Sequence, residues 1–333
     1  MNTEFEKRQM QVFELLELLA SRAKTENKTL VFIGGSAIQA VLKKPRRLSI
    51  DLDLFYDGKP EPLLSVLESD YQVEKRPVKS QDLFFFYTAV RNQVKVKIDI
   101  ARFSFAKNSS EFESKTIDLK GKKFRVNIAK KEYLLASKLA SLCIGTIGRE
   151  FDKSDFQMNF LKDVFDSNCL LDETLFSEKI KEHFNQICKI QNHVRKTSFT
   201  SDQSIENAIH ALFQSVDENS KRSAVSKGNL QSFTQYLRTG IIKKADYWEM
   251  TYRLIAVLQI ILSSKNCLSS IEKMEKLLTF STDKEASAKM EKQLISQFDP
   301  KHIHELKILA PKTLAYLVTY LEESNLQEKM NQK

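Results

Sequence analysis

The sequence has few of the residues from which metal and redox motifs are built. Four cysteines occur in 333 residues, and no two of them form a CxxC pair, so neither a zinc ribbon nor a redox motif is predicted. Of the five histidines, only His302 and His304 lie close together, and their spacing puts them on different faces of the helix expected there. A metal site built on histidine or cysteine does not fit this sequence.

Long apolar runs are also missing. The longest, Leu254 to Leu262, is far too short to span a bilayer, and the charged opening MNTEFEKRQM lacks the apolar core of a signal peptide. We therefore expect a soluble cytoplasmic protein without a membrane partner. Hydrophobic residues make up 42% of the chain and aromatic residues 10%, which is enough for a sizeable core and for two domains.

Negative charge is outweighed by positive charge. The formal net charge is +9 and the sequence pI is about 9.1, which would attract a polyanion such as RNA, DNA or a nucleoside triphosphate. The basic residues are mostly lysines dispersed along the chain, and a surface of that kind also serves solubility alone. Both interpretations stay open at this stage.

The hydrophobic period of the sequence changes near Lys130. Before it, short alternating runs predict strands, whereas after it helical periodicity continues with few glycines and prolines. The predicted elements are a helix over 5–24, strands over 30–33, 47–56, 71–75, 83–90 and 94–103, two strands flanking Gly121, and helices over 36–44, 62–69, 131–143, 156–165, 173–189, 204–214, 230–237, 245–262, 267–278, 286–297 and 303–323. We place the domain boundary near residue 200, with an α+β domain in residues 1–200 and a helical domain in residues 201–333.

Two aspartates carry the clearest chemical signal. Asp51 and Asp53 lie two apart on a predicted strand, so both carboxylates leave the same face and can share divalent cations. A pair of magnesium ions held in this way neutralises a triphosphate and lowers the pKa of an attacking hydroxyl. A third carboxylate usually completes such a site, and Asp99, on a later alternating strand, is the best candidate.

A Gly-Gly-Ser turn precedes this strand. Gly34, Gly35 and Ser36 lie between a predicted strand and a helix start, where free backbone amides favour phosphate. The missing side chains of the two glycines let the backbone approach a triphosphate closely, and Ser36 can cap the helix or bind a phosphate oxygen. Alone, the turn is an ordinary strand-turn-helix connection, and the Asp-Leu-Asp run alone is an edge strand. Their combination at this spacing favours a triphosphate site.

The segment Gly34 to Phe55, GGSAIQAVLKKPRRLSIDLDLF, resembles the first motif of the AbiEii-type nucleotidyltransferases, a family that includes the MenT-like toxins. That motif joins Gly-Gly-Ser/Thr, a helix and Arg-x-Ser-x-Asp-x-Asp, and the latter matches in register at Arg47, Ser49, Asp51 and Asp53. Further segments are similar to the later motifs: VKIDI around Asp99, EYLLASKLASL with its lysine at Lys138, and FLKDVFD with Lys162, Asp163 and Asp166.

The resemblance implies a polymerase-β-like α+β fold, in which a mixed sheet flanked by helices is followed by an all-α helical bundle. It implies that Asp51 and Asp53 bind Mg²⁺, in a two-ion site that Mn²⁺ could also fill, with Asp99 as a further metal ligand. The nucleotide-binding set is then Gly34, Gly35, Ser36, Arg47, Ser49 and Lys138. Asp51, Asp53, Lys138 and Asp163 form the catalytic set, in which Asp163 holds Lys138 or the acceptor.

Two features of the second half of this site leave alternatives open. Lys138 on its own could be a surface lysine whose stem lies along apolar neighbours, and Asp163 with Asp166 could form a solvated charged face. Lys162 stands where the family usually has an arginine and lacks its bidentate geometry. The arginine expected after the third motif aligns with Arg149, across an insertion.

The function expected from the resemblance is Mg²⁺-dependent transfer of a nucleotidyl group from a nucleoside triphosphate to a hydroxyl. The acceptor would be RNA, with tRNA foremost, and the protein would act as a toxin of a toxin-antitoxin or abortive-infection system, with an antitoxin as partner. One alternative is nucleotidylation of a protein or a small molecule. Another is a non-catalytic protein that binds a nucleotide or a partner; two carboxylates on one strand face argue against it.

Overall fold

The computed structural model describes residues 4–77, 83–102, 111–119, 121–150, 156–174, 177–218, 220, 223–224, 227–238, 240–263, 267–281 and 283–331. The chain divides into two compact units. The first comprises Met1–Leu134 with Tyr236–Thr239, and the second comprises Leu135–Gln235 with Gly240–Lys333. The boundary near residue 200 stays a prediction.

A seven-stranded mixed sheet forms the centre of the first unit. Its elements are α1 (Glu4–Thr25), β1 (Leu30–Ile33), α2 (Gly34–Val41), β2 (Asp51–Tyr56), α3 (Pro60–Leu64) with a 3-10 turn (Ser65–Leu67), β3 (Gln72–Lys75), β4 (Phe84–Arg91), β5 (Val94–Arg102), β6 (Phe112–Leu119) and β7 (Lys122–Ala129). The strand order is β3-β4-β5-β2-β1-β7-β6. The β1–β7 and β2–β5 pairs are parallel, and the other pairs are antiparallel.

Alternation along β2 decides which of its side chains enter the core. Leu52, Leu54 and Tyr56 are buried on one face, whereas Asp51 and Asp53 lie on the other and are partly exposed. Helix α1 packs against the sheet with a fully buried set of leucines that includes Leu15, Leu16 and Leu19. The apolar face therefore holds β2 in place, and its second face is available for chemistry.

The predicted strand over 47–56 is wrong in its first half, because β2 begins only at Asp51. The preceding residues pair instead with a distant segment of the same unit. The amide of Leu48 donates to the carbonyl of Tyr236 at 2.7 Å, and the amide of Arg238 donates to the carbonyl of Arg46 at 3.1 Å. A single bridge joins Arg47 to Leu237. The polar/apolar alternation does not describe burial there, since Arg47, Leu48 and Ser49 are all buried, and this long-range partner could not be seen in it.

From Lys131 onwards the described elements are helices. They are α4 (Lys131–Ser141), α5 (Phe156–Leu171), α6 (Glu178–Arg195), α7 (Ser201–Val216), α8 (Lys227–Thr234), α9 (Lys244–Ser263), α10 (Cys267–Phe280), α11 (Lys284–Ile295), α12 (Pro300–Leu309) and α13 (Lys312–Asn331). The centre of the second unit is α9, which packs against α7 and α13 and is buried along most of its length.

The predicted α+β architecture is confirmed: a mixed sheet flanked by helices, then helices alone. The single helix predicted over 303–323 is wrong, since α12 ends at Leu309 and α13 begins at Lys312. Pro311 lacks an amide proton and cannot continue the hydrogen bonding of the preceding helix. Phe103 and residues 175–176 of the predicted elements lie outside the described residues. Among the described helices, none is long and apolar enough to cross a membrane.

Candidate active site

The register of the sheet brings the Gly-Gly turn to the two aspartates. Ile33, the last residue of β1, pairs with Asp53 on β2, and Asp53 pairs in turn with Asp99 on β5. Since Gly34 follows Ile33 directly, the turn begins beside Asp53. The structure thus brings together Gly34, Asp53 and the strand position of Asp99, and their roles in binding stay a prediction.

Gly34 lies directly against the Asp53 carboxylate. Its φ is +75°, and a Cβ added there would lie 1.9 Å from Oδ2 of Asp53. Gly35 is enclosed as well, because its Cβ would lie 2.8 Å from Nη2 of Arg47 and 2.9 Å from Oγ of Ser49. Both glycines therefore make room for polar side chains of the site, a requirement that the sequence analysis had connected only with triphosphate.

Ser36 does not cap helix α2. The N-cap of the helix is Ile33, which makes no side-chain capping bond. The fully buried Ser36 hydroxyl donates instead to the backbone carbonyl of Asp51 at 2.6 Å. The capping role expected for Ser36 is therefore wrong, and the observed bond ties the start of α2 to the start of β2.

Arg47 and Ser49 line the turn although they lie before the strand. Arg47 is only 3% exposed, and its Nη1 donates to the carbonyl of Leu48 at 2.9 Å. The Gln39 side chain accepts from the backbone amides of Arg46 and Arg47, at 2.9 and 3.1 Å. These bonds hold the irregular segment against α2, so that both predicted side chains reach Gly35 without belonging to β2.

Tyr236 is a neighbour that the sequence analysis missed. Burial raises the pKa of its hydroxyl, the negative charge of Asp51 raises it further, and Arg47 opposes the shift. The ring also packs against Phe5, with centroids 4.9 Å apart. No sequence signal marked this tyrosine, because it comes from the segment Tyr236–Thr239 that returns to the first unit.

Asp99 forms an ion pair with Arg76. Burial raises the pKa of the Asp99 carboxyl, although Arg76 opposes the shift by its charge and its hydrogen bond. The Arg76 guanidinium also lies over the Phe86 ring, 5.3 Å from the centroid. Within the part of the chain that the structure describes, no three His, Cys, Asp or Glu side chains come close enough to hold a metal ion together. Asp99 as a third metal ligand stays a prediction.

The pair Asp51 and Asp53 nevertheless fits a magnesium ion. Mg²⁺ is usually bound by one or two carboxylates, with phosphate oxygens and water completing its octahedron. The two carboxylates leave one face of β2, and the close fit of Gly34 leaves Asp53 beside the amides of the turn. The donor set therefore suits a metal that binds together with a triphosphate rather than one enclosed by protein alone.

A second charged cluster lies in the second unit. The Lys138 ammonium on α4 contacts the carboxylates of Asp163 at 2.7 Å and Asp166 at 3.0 Å on α5. Arg149 donates through Nε to the second oxygen of Asp163 at 2.6 Å. Both aspartates are fully buried, and the Lys138 side chain is 12% exposed. The cluster is thus neither a solvated charged face nor a lysine extended along the surface.

The electrostatics of Asp163 are dominated by these two cations. Burial alone would raise the pKa of the carboxyl, but the charges and hydrogen bonds of Arg149 and Lys138 outweigh it and lower the pKa to about 2. Asp163 is therefore ionised at neutral pH, and it orients both cations. Lys138, Asp163 and Arg149, which the motifs suggested separately, are joined by the structure in one network.

A polar cavity of about 300 Å³ opens beside this cluster, within the second unit. Arg149 and Arg195 line it together with Ser137, Ser141, Asn159 and Gln191. Nη2 of Arg195 donates to the carbonyl of Gly148 at 2.6 Å, and burial lowers the pKa of the guanidinium. Arg195 was missed in the sequence, since the predicted helix ended before it.

The first unit thus carries two carboxylates on one strand of a mixed sheet with a Gly-Gly turn against them, and the second unit carries a buried lysine-aspartate network. The chain belongs to the family described as "Nucleotidyl transferase AbiEii toxin, Type IV TA system", whose profile matches residues 17–239. The matched range includes both clusters, and the resemblance inferred from the motifs is confirmed.

Distant structural likenesses accompany this match. A nucleotidyltransferase-like antigenic protein from Paracoccidioides brasiliensis is 14% identical over 56% of this chain and 90% of its own, with a TM-score of 0.35. The antibiotic-resistance factor ANT(2'')-Ia is 17% identical over 56% of this chain and 95% of its own, with a TM-score of 0.38. The lincosamide antibiotic adenylyltransferase LnuA is 15% identical over 48% of this chain and 97% of its own, with a TM-score of 0.29. A search of curated proteins gave no significant match. The assignment rests on the family match.

Proposed function

We propose that this nucleotidyltransferase moves a nucleoside monophosphate from a Mg²⁺-bound triphosphate to a hydroxyl of RNA, with tRNA as the foremost acceptor. The observation that carries the proposal is the packing of Gly34 against the Asp53 carboxylate on the strand that also holds Asp51. A carboxylate and the free amides at a helix start that lie this close together can bind the same metal-bound phosphate group.

In the proposed reaction, the acceptor oxygen attacks the α-phosphorus and the bond from that phosphorus to its bridging oxygen breaks. Pyrophosphate leaves with the electron pair, and the proton of the hydroxyl goes to solvent. Bound Mg²⁺, or Mn²⁺ in its place, would neutralise charge on the triphosphate and lower the pKa of the attacking hydroxyl. Asp51 and Asp53 would hold the ion, while the Gly34–Gly35 amides and Arg47 would orient the triphosphate.

Lys138 is the proposed phosphate ligand of the second cluster. Its ammonium is fixed by two buried carboxylates at 2.7 and 3.0 Å, so little side-chain freedom remains to be lost when a triphosphate binds. Asp163 acts as the positioning residue, because it bonds Lys138 and Arg149 at once. A lysine held this way supplies a charge that does not reorganise during the reaction.

The net charge of +9 and the cavity beside Arg149 and Arg195 support an anionic acceptor. Arg195 is held by the carbonyl of Gly148 and is partly desolvated, a setting in which a guanidinium binds phosphate strongly. We propose that phosphate groups of the acceptor bind in this cavity of the second unit. The membership in a toxin family also supports action as the toxin of a toxin-antitoxin pair, with an antitoxin as its partner.

Labelled nucleoside triphosphates test the acceptor. Each α-labelled triphosphate is incubated with the protein, Mg²⁺ and total RNA, and the products are divided by nuclease and protease treatment. Label that is sensitive to nuclease, lies in tRNA and disappears with a chelator is the expected result. Protease-sensitive label or a labelled small molecule would contradict the RNA acceptor. The Glu74→Gln variant, in which an exposed strand carboxylate outside the site is changed, should match the wild type.

A further inference from the structure

A second cavity, of about 530 Å³, lies among the helices of the second unit. Its walls are mostly aromatic, and its rim is acidic. The aromatic rings are those of Phe213, Trp248, Tyr252, Phe298 and His302, and the carboxylates are those of Asp217, Glu218, Asp299 and Glu305. The residues from 240 onwards, which supply most of these side chains, lie beyond the range of the family match.

The aromatic walls form a connected cluster. Phe213 packs against Tyr252 and Phe298, each with centroids 6.1 Å apart, and Trp248 meets His302 edge to face at 5.5 Å. The Tyr252 hydroxyl and Nε2 of His302 are joined by a hydrogen bond of 2.6 Å. This bond and the ring contacts fix the walls, so that the cavity is preformed.

One cation of the chain already occupies the cavity. The Lys244 ammonium lies 4.2 Å from the centroid of the Trp248 ring and pairs with Glu218 and, at 3.4 Å, with Glu305. A ring face with carboxylates around it is the chemistry that proteins use to hold alkylammonium groups. In this structure the cavity binds the ammonium group of Lys244, which belongs to the chain itself, in this way.

The charge around the cavity is out of balance. Among the residues that the structure describes, four carboxylates and a single ammonium group line it, in a protein whose net charge is +9. Burial lowers the pKa of His302, so this ring adds little positive charge at neutral pH. Lys244 pairs with Glu218 and Glu305, and a ligand with two or more ammonium groups suits a described lining that carries more carboxylates than ammonium groups.

We propose that this cavity is a binding site for an alkylammonium ligand, a polyamine, whose ammonium groups displace Lys244 from Trp248 and pair with the acidic rim. The methylene chain lies along Phe213, Tyr252 and Phe298, where apolar contact favours it. The Lys244 side chain then swings into solvent, and its competition sets the affinity. This site is independent of the transfer reaction, so failure of either proposal leaves the other intact.

Trp248 gives a direct measurement, because it is the only tryptophan of the chain. Spermidine is titrated into the full-length protein while tryptophan emission is recorded. A saturable change is expected with spermidine, whereas octanediol, which has a chain but no charge, gives none. Trilysine with blocked ends serves as a second arm: tighter binding than spermidine assigns the ammonium groups to a peptide, and weaker binding assigns them to a free polyamine.

Variants separate the cavity from general charge. Lys244→Met removes the internal competitor and should tighten spermidine binding about tenfold. Lys243→Met changes the same charge at the adjacent exposed position, which does not line the cavity, and should leave binding within about twofold. Glu305→Gln should weaken binding about tenfold, and the exposed Glu285→Gln should not.

Besides tighter binding of trilysine, three results overturn the proposal. The first is an emission that does not change with spermidine in either the wild type or Lys244→Met. The second is an equal response to octanediol, and the third is equal tightening by Lys243→Met and Lys244→Met. Far-ultraviolet circular dichroism checks that each variant folds. If Lys244→Met does not fold, the wild-type and Glu305→Gln titrations decide the matter.

Discussion

Replacing Gly34 by alanine tests the close approach of Gly34 to Asp53. We call Gly34, Asp51 and Asp53 together the strand site. The added Cβ would lie 1.9 Å from Oδ2 of Asp53, whereas ordinary van der Waals contact begins near 3.4 Å, so the carboxylate must move by 3.4 − 1.9 = 1.5 Å. A displacement of about 1 Å in a reacting group costs about 100-fold in rate. We therefore expect Gly34→Ala to lower nucleotidyl transfer by about 100-fold or more.

Gly121→Ala is the matched control. Gly121 has a φ of +86° and Gly34 has +75°, so both substitutions carry the same left-handed backbone penalty of about 1–2 kcal/mol. A Cβ at Gly121 meets nothing within 4 Å. Transfer of α-label to RNA is measured for both variants, with thermal unfolding as the check on folding. Equal activities for the two variants would refute the argument, since strain alone would then account for the loss.

Three further outcomes are expected. Because the pKa of Asp163 in the folded protein is lowered to about 2, its stabilising effect is complete above about pH 4 and is lost towards pH 2. In urea unfolding over that range, the free energy of unfolding of the wild type should fall by about 2 kcal/mol more than that of Asp163→Asn. Parallel plots of this free energy against pH for the two proteins would contradict the prediction. Arg195→Gln should lower transfer to RNA about tenfold without raising the KM for the triphosphate. A raised KM would contradict this prediction, because it would mean that Arg195 binds the triphosphate and not the acceptor. Ser36→Ala should lower the free energy of unfolding by about 1 kcal/mol, through its bond to the carbonyl of Asp51, and an unchanged value would contradict the role of that bond.

The strand site could be predicted from the sequence because its parts are local. Gly34 and Asp53 lie on consecutive elements, and an antiparallel pair joined by a short helix returns the second strand beside the turn. The period of two in β2 then fixes the faces of Asp51 and Asp53. Local pattern and short connection together decide the geometry, and no distant residue is required.

Long-range partners could not be predicted in the same way. Arg76 reaches Asp99 from a segment with no motif, and Tyr236 joins the first unit after a long stretch of helix. Lys138 and Asp163 were recognised through the family motifs, but their bond depends on how α4 and α5 pack, which periodicity does not give. Ser36 does not cap the helix because α2 already begins at Gly34, which places Ser36 inside its first turn.

The position of the label in the triphosphate tests the central claim most directly. The wild type and the Asp51→Asn/Asp53→Asn double variant are each incubated with RNA, Mg²⁺ and a triphosphate labelled at either the α- or the γ-phosphorus. The account predicts α-label in RNA and γ-label in released pyrophosphate with the wild type, and neither with the double variant. Label from the γ-phosphorus in RNA, or transfer that survives in the double variant, would contradict it.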